Sequence, residues 1–523
     1  MKNPNRFDRR RLRLDHLIQR FFGANALLAI IVLGLITLFL VREGAGFFPQ
    51  NLQNLRVYRL AGLEYVDLMR SQVDRHTALN RSLQDLRLRQ LKALLAQGKE
   101  LEAANEALAP FDRFSEAFDE AITPLRGIAS DLTEVAAATK EKVTERENAL
   151  EQRRFLERAG KMEEAAKVAV ETVDFAAAVA PLRETLPAWR QEAGAFRDTV
   201  SKLLAGPSPL AAGSGPEMQA LYAKFKTASE QYVGSFHEAE RKLERWNPLE
   251  PVPWYRAVTS FLFGKTWITN SFWQDVYGVI PLLSGSLLVS GVALSIAVPF
   301  GICAAIYVNE IAGSAERNFI KPAIEFIAAI PSVVLGFFGV VVLGEAIRSL
   351  TQWDALSWIS FFPIAERLNA FTAGCLLAFM AIPTIFTLAE DALNSVPVAF
   401  KEASYALGAS RLQTVFRIII PAALSGIISA VLLGFGRVVG ETMVVLLCAG
   451  NRIAIPDFSH GLGAVFEPVH TMTGIVAQEM GEVVSGSIQY RALFMVGLFL
   501  FLLSLVINWL AQVAVRRFKI SIG

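Results

Sequence analysis

The chain has 523 residues, 53% of them hydrophobic, with a mean hydropathy of +0.38, which is too apolar for an ordinary water-soluble enzyme. A charged fraction of 19% is too high for a chain made only of membrane spans. The 51 basic and 49 acidic residues leave a net charge of +2, so no global field points to nucleic acid.

Residues 1–20 carry Lys2, Arg6, Arg9, Arg10, Arg11, Arg13 and Arg20, and a charge-free run over 21–41 follows. That run is long enough to cross about 30 Å of hydrocarbon as a helix. Its exit, Arg42-Glu43-Gly44-Ala45, offers no small-x-small cleavage site, which favours an uncleaved span over a signal peptide. The positive charge predicts a cytoplasmic N-terminus, with the next segment outside. Residues 1–42 are thus expected to be a basic tail and a first span.

Composition changes over 43–255, where Ala, Leu, Glu, Arg and Lys dominate and long helices are expected. Leu88, Leu91 and Leu95 suggest one apolar stripe. Met218, Leu221, Tyr222, Phe225, Tyr232, Phe236 and Leu243 suggest a second, at intervals of three, four and seven. Between them, 205–216 (AGPSPLAAGSGP) reads as a linker. The expectation is a helical hairpin or bundle outside the membrane, acting as a spacer, a docking surface or a sensor. It has no catalytic spacing. Gly264-Lys265-Thr266 is not a phosphate loop, because position 259 is threonine where a glycine is needed.

The remainder, 256–523, holds five more apolar runs near 279–308, 326–344, 368–388, 418–447 and 492–515. Six crossings return the C-terminus to the cytoplasm. Arg516, Arg517 and Lys519 then fall inside with Arg317, Lys321, Lys401, Arg411 and Arg417, as the positive-inside rule requires. The fold class expected is therefore all-α: a polytopic membrane protein with six transmembrane helices and a helical insertion. Cys303, Cys375 and Cys448 all lie in apolar runs and suggest no disulfide framework. Five scattered histidines give no metal-ligand spacing, and no cofactor is expected. Ala329-Ile330-Pro331-Ser332 and Ala381-Ile382-Pro383-Thr384 echo each other; proline beside a hydroxyl suits a broken helix that lines a path.

Two stretches carry chemistry. Residues 401–426 read KEASYALGASRLQTVFRIIIPAALSG. Ala403, Tyr405, Ala406 and Leu407 favour a short helix, Gly408 can take the positive φ that closes it, and Ser410 with Gln413 has capping-box spacing for a second helix. Further on, Gly436-Arg437-Val438-Val439-Gly440-Glu441-Thr442-Met443 places two charges in an apolar run. Arg437 and Glu441, four apart, are expected on one helical face and able to pair. Each such charge costs about 2.5–3.5 kcal/mol at the bilayer centre, so both should face protein or a water-filled path rather than lipid. Gly434, Gly436 and Gly440 are expected to keep one side of that helix narrow. An arginine fork in a path favours an oxyanion.

The 401–426 pattern resembles the EAA loop of ABC-transporter permeases, with Ser404 for the third motif residue and Ile420 for the usual leucine before Pro421. The resemblance implies a cytoplasmic loop that docks into an ATP-hydrolysing subunit, with Glu402, Ala403, Gly408 and Arg411 as coupling residues. Gly-Arg-x-x-Gly-Glu-Thr-Met followed by Gly450-Asn451, and the segment from Ala329 to Gly336, resemble signatures of PstC-type phosphate permeases. Sulfate and molybdate permeases usually have Phe-Gly after the glutamate, where this chain has Thr442-Met443. The resemblance covers about 256–523 and the first span, not the insertion. It implies the type I importer permease fold in a bacterial inner membrane, with Arg437, Glu441, Thr442, Pro331 and Ser332 along a phosphate path. It further implies a second, PstA-like permease, a pair of PstB-like ATP-binding subunits and a periplasmic PstS-like phosphate-binding protein, with no catalysis in this chain. Another oxyanion (sulfate, molybdate or phosphonate), or a membrane-anchored receptor with a helical sensor, is the alternative.

Overall fold

A computed structural model describes residues 5–518 apart from 172, 173, 357 and 360. Lys2 and Lys519 of the basic flanks lie outside the described residues, as do the side chains of Arg6, Arg9, Arg10, Arg11, Arg13 and Arg517. The chain divides into two units. One joins the N-terminal stretch up to Asn51 with Tyr255–Ser271 and everything from Asp275 on; the other is Leu52–Trp254 with Phe272–Gln274.

Among the described residues, six helical stretches are long and apolar enough to cross a membrane: Gln19–Leu60, Ile280–Ile311, Ser332–Thr351, Ala370–Asn394, Arg411–Gly440 and Ile488–Val513. This all-α, polytopic arrangement is the fold the apolar runs implied. Among the described residues the one sheet is a pair of two-residue strands, Trp267–Ile268 against Val276–Tyr277. The fourth span is central. It meets the second along a seam of small residues, with Ala293 and Ala297 of one and Ala373, Ala381 and Ile385 of the other in a common core. Small residues let helix backbones approach where burial from water supplies no drive. Gly374 shows how close: a Cβ there would lie 2.5 Å from Val292 Cγ1.

The first span runs beside the last, where Phe39 meets Phe494 edge-on at 5.6 Å and Arg491 donates to the carbonyl of Gly46 at 3.1 Å. Its residues from Phe21 to Leu35 are all exposed, an apolar surface suited to hydrocarbon. The third span does not start at 326 as its hydropathy suggests. An amphipathic helix, Ser314–Ala328, ends before Pro331, whose ψ of 137° breaks the chain, and Ser332 opens the span. The other member of the proline echo behaves differently: Pro383 lies inside the unbroken helix Ala370–Asn394.

The second unit is a bundle of long helices, among them Leu63–Ala96, Leu101–Glu120, Thr123–Arg158, Leu186–Ala205 and Pro216–Arg245. Its core holds Tyr65, Leu83, Phe111, Phe118, Trp189, Phe196, Tyr232 and Phe236. The stripe on the last helix is as the spacing implied, with Tyr222, Phe225, Tyr232, Phe236 and Leu243 buried, and the expected linker is non-helical over 206–215, between helices that end at Ala205 and start at Pro216. The other stripe is corrected. Leu88 and Leu95 are exposed; Leu91 is partly buried, and the face that packs carries Leu83, Leu86, Gln90 and Leu94. Among the polar residues buried in this unit, which include Gln72, Gln90 and Ser229, is His76, with its ring stacked on Phe118 at 4.4 Å. Among the described residues neither ring nitrogen has a hydrogen-bond partner, and burial pushes the imidazole pKa down to about 4.

Candidate functional site: a coupling loop and an intramembrane arginine

The stretch from Pro397 to Pro421 folds as a helix, a turn and a second helix. Val398–Ala406 is helical and ends in a Schellman turn: Gly408 N–H donates to Tyr405 O at 2.9 Å and Ala409 N–H to Ser404 O at 3.2 Å. Gly408 has φ +80°, which glycine adopts without penalty. Ser410 then caps Arg411–Thr414 through the reciprocal box with Gln413. The helix widens into a π-helical turn at Val415–Ile419 and continues as Ile420–Gly440, with Pro421 at its second position. A buried bond between the Ser404 and Thr414 hydroxyls, 2.8 Å, ties the two arms together. Glu402, Ala403, Gly408 and Arg411 are exposed, and Leu407 is 89% exposed at the tip of this knuckle.

Three ion pairs, legible in no local motif, fix this knuckle and its neighbour. Lys401 Nζ lies 2.6 Å from Glu310 Oε1, in the π-helical turn Tyr307–Ile311 that ends the second span. Glu390, near the end of the fourth span and 1% exposed, takes Arg317 at 3.3 Å and Lys321 at 2.9 Å from the amphipathic helix. Acids at the ends of apolar runs were the available signal; their partners are far away in sequence.

At the intramembrane charges the structure corrects one expectation. The fifth helix stops at Gly440, and Glu441 is extended at ψ 135°. The four-residue spacing therefore never becomes a helical turn, and among the described residues no ion pair joins Arg437 to Glu441. Arg437 Nη1 instead donates to Thr384 Oγ1 of the fourth span at 2.7 Å. The glycines divide as well: Gly434 faces Ile385, whereas Gly436 and Gly440 look onto open space. Arg437 thus lies on an uncovered face with its remaining donors unengaged among the described residues.

The break at Glu441-Thr442 is held by Thr473, whose hydroxyl donates to Glu441 O at 2.8 Å, and Thr442 leads into a short helix, Met443–Cys448. That helix packs on the third span just beyond its own break. Cys448 Sγ donates to Gly336 O at 3.2 Å, and Leu447 fills the space beside Gly336. Pro331 and Ser332 therefore belong to the same packed assembly as the second break, with no hydrogen bond or ion pair to Arg437 among the described residues. Among the described residues no group of three or more His, Cys, Asp and Glu side chains could hold a metal ion.

Comparison with known proteins agrees with this architecture. Residues 297–520 match the family described as binding-protein-dependent transport system inner membrane component. The phosphate transport system permease protein PstC of Pasteurella multocida is 31% identical over 268 residues, 49% of this chain and 81% of that one. PstC of Haemophilus influenzae is 31% identical over 50% of this chain and 84% of its own. A probable ABC transporter permease protein of Bacillus subtilis is 34% identical over 47% of this chain and 74% of its own. Six apolar helices, the knuckle at 401–426 and these relatives place the chain among the PstC-like inner-membrane permeases of ABC importers, multi-pass subunits whose ATPase is a separate polypeptide.

Proposed function

We propose that this permease conducts inorganic phosphate, and that Arg437 is the group that meets it. The observation that carries the reading is the uncovered guanidinium at the end of the fifth helix, oriented by Thr384 with donors to spare. A planar fork of N–H donors in a low-dielectric path suits a tetrahedral oxyanion. Glu441, Thr442, Pro331 and Ser332 line the same region at two helix breaks, where freed backbone groups can serve a passing ion. Phosphate is also what the names of the PstC relatives specify.

The uncovered face calls for a second, PstA-like permease to close the path. The exposed knuckle around Glu402, Ala403, Gly408 and Arg411 is the seat of a PstB-like ATP-binding subunit, two of which serve the pair of permeases. A PstS-like periplasmic protein delivers the anion. Both termini then lie in the cytoplasm and the helical bundle in the periplasm. Nucleotide-driven closure moves the knuckle, and only one arrangement of the spans fits the closed ATPases.

The test is uptake of labelled phosphate into proteoliposomes holding the assembled complex, with sulfate, molybdate and phosphonate as competitors. Phosphate alone should compete strongly. Stronger competition by another oxyanion reassigns the cargo.

A further inference from the structure

The ion pair between Lys401 and Glu310 has a chemistry that packing alone does not require. Glu310 lies in the last turn of the helix that forms the second span, where the helix dipole disfavours an acid, and its side chain is only 5% exposed. Its carboxylate holds Lys401 at 2.6 Å, and the neighbouring Asn309 amide donates to it at 2.8 Å. Glu390, near the end of the fourth span, has the same character: buried, and balanced by Arg317 and Lys321 of the amphipathic helix. Both acids border one apolar layer, made of Ala305, Val308, Phe386, Leu393, Val415 and Ile419. Each is tolerable there only while a cation answers it.

Among the described residues, Lys401–Glu310 is the only side-chain bond from the helix Val398–Ala406 to a span other than the fifth. The rest of the knuckle is tied to the fifth span through Ser404 and Thr414. We infer that Glu310 is a positioning residue for coupling: through Lys401 it makes the second span follow the knuckle, so that movement imposed there reaches two spans rather than one. The inference rests on the permease reading above. It adds a specific strap between the docking helix and the second span, and it assigns Lys401 inward, to its own chain, rather than outward to the ATPase.

The test uses the whole complex in proteoliposomes, reading bound ATP-binding subunit, ATP hydrolysis and phosphate uptake separately. Glu310→Gln and Lys401→Met should each keep the ATP-binding subunit and hydrolysis, while uptake per ATP falls by about tenfold, the scale of a typical coupling energy. Lys401→Arg should recover most of the loss. The exchanged pair, Glu310→Lys with Lys401→Glu, should transport better than either reversal alone. Unchanged uptake per ATP in Glu310→Gln overturns the inference. So does loss of the ATP-binding subunit in Lys401→Met but not in Glu310→Gln, which would make Lys401 an outward contact. An exchanged pair that inserts and assembles without any recovery also overturns it. If the unmodified chain brings down no ATP-binding subunit at all, the permease reading itself fails, a result distinct from every variant outcome.

Discussion

Gly408 offers the sharpest test of the knuckle, because its requirement can be worked from backbone geometry alone. Its φ of +80° closes the Schellman turn, and a Cβ built there meets nothing within 4 Å. Replacing it by alanine therefore costs only the left-handed backbone penalty, about 1–2 kcal/mol. If the turn relaxes instead, the competent loop is depleted by about 5–30-fold, and apparent affinity for the ATP-binding subunit falls by the same factor. Asparagine tolerates the left-handed region, so Gly408→Asn should lose much less than Gly408→Ala, and Gly408→Leu at least as much as alanine. The assay is titration of purified ATP-binding subunit onto the permease pair in nanodiscs. Wild-type affinity in Gly408→Ala with loss in Gly408→Leu would refute the argument, because side-chain volume at the interface, not φ, would then set the effect.

Arg437→Gln should abolish phosphate uptake while the complex remains assembled; normal uptake would remove the arginine from the path. In the bundle, Phe118→Ala should cost about 3–5 kcal/mol, whereas Leu88→Ala, at a site 49% exposed, should stay within about 0.5 kcal/mol; chemical unfolding of the two variants distinguishes the packed face from the exposed one. His76 titrates at about 4 when folded and near 6.5 when unfolded, so between those values the unfolded state binds more protons and stability falls as the pH drops. From pH 7 to pH 5 the loss should be ~2 kcal/mol, read as hydrogen-exchange protection of Leu63–Ala96 corrected for intrinsic rates, and His76→Phe should lack it. Replacing Leu52–Trp254 by a short linker should leave measurable uptake, because Asn51 already donates to Ala257 O at 3.0 Å and the ends need little bridging. Complete loss despite insertion in the membrane would make the bundle a necessary part.

What the sequence disclosed and what it hid divide along physical lines. Spans were legible because hydrocarbon imposes a length and a polarity on every crossing. The knuckle was legible because Gly408, Ser410 and Gln413 act on backbone groups a few residues away. The pairing of Arg437 with Glu441 failed because it assumed that the helix continued, and the chain leaves helical geometry at Glu441 with a neighbouring segment supplying the bond at Thr473. Leu88 and Leu95 misled because a leucine-rich helix offers several faces, and only the partner helices decide which is buried. The proline echo split for a similar reason: Pro331 ends its helix, while Pro383 is carried inside a helix that its neighbours enclose. Glu310 and Glu390 could be seen as odd acids at the ends of spans, but their cations lie 91 and 69–73 residues away.

The account depends most on the knuckle facing the compartment that holds ATP. Leu407→Cys, 89% exposed at the tip, in a chain whose three native cysteines are replaced, reports this directly by labelling with a membrane-impermeant maleimide. Labelling of inside-out vesicles but not of intact cells, blocked when the ATP-binding subunit is bound, is the result expected. Labelling of intact cells from outside would contradict it, since no ATPase could then reach the loop.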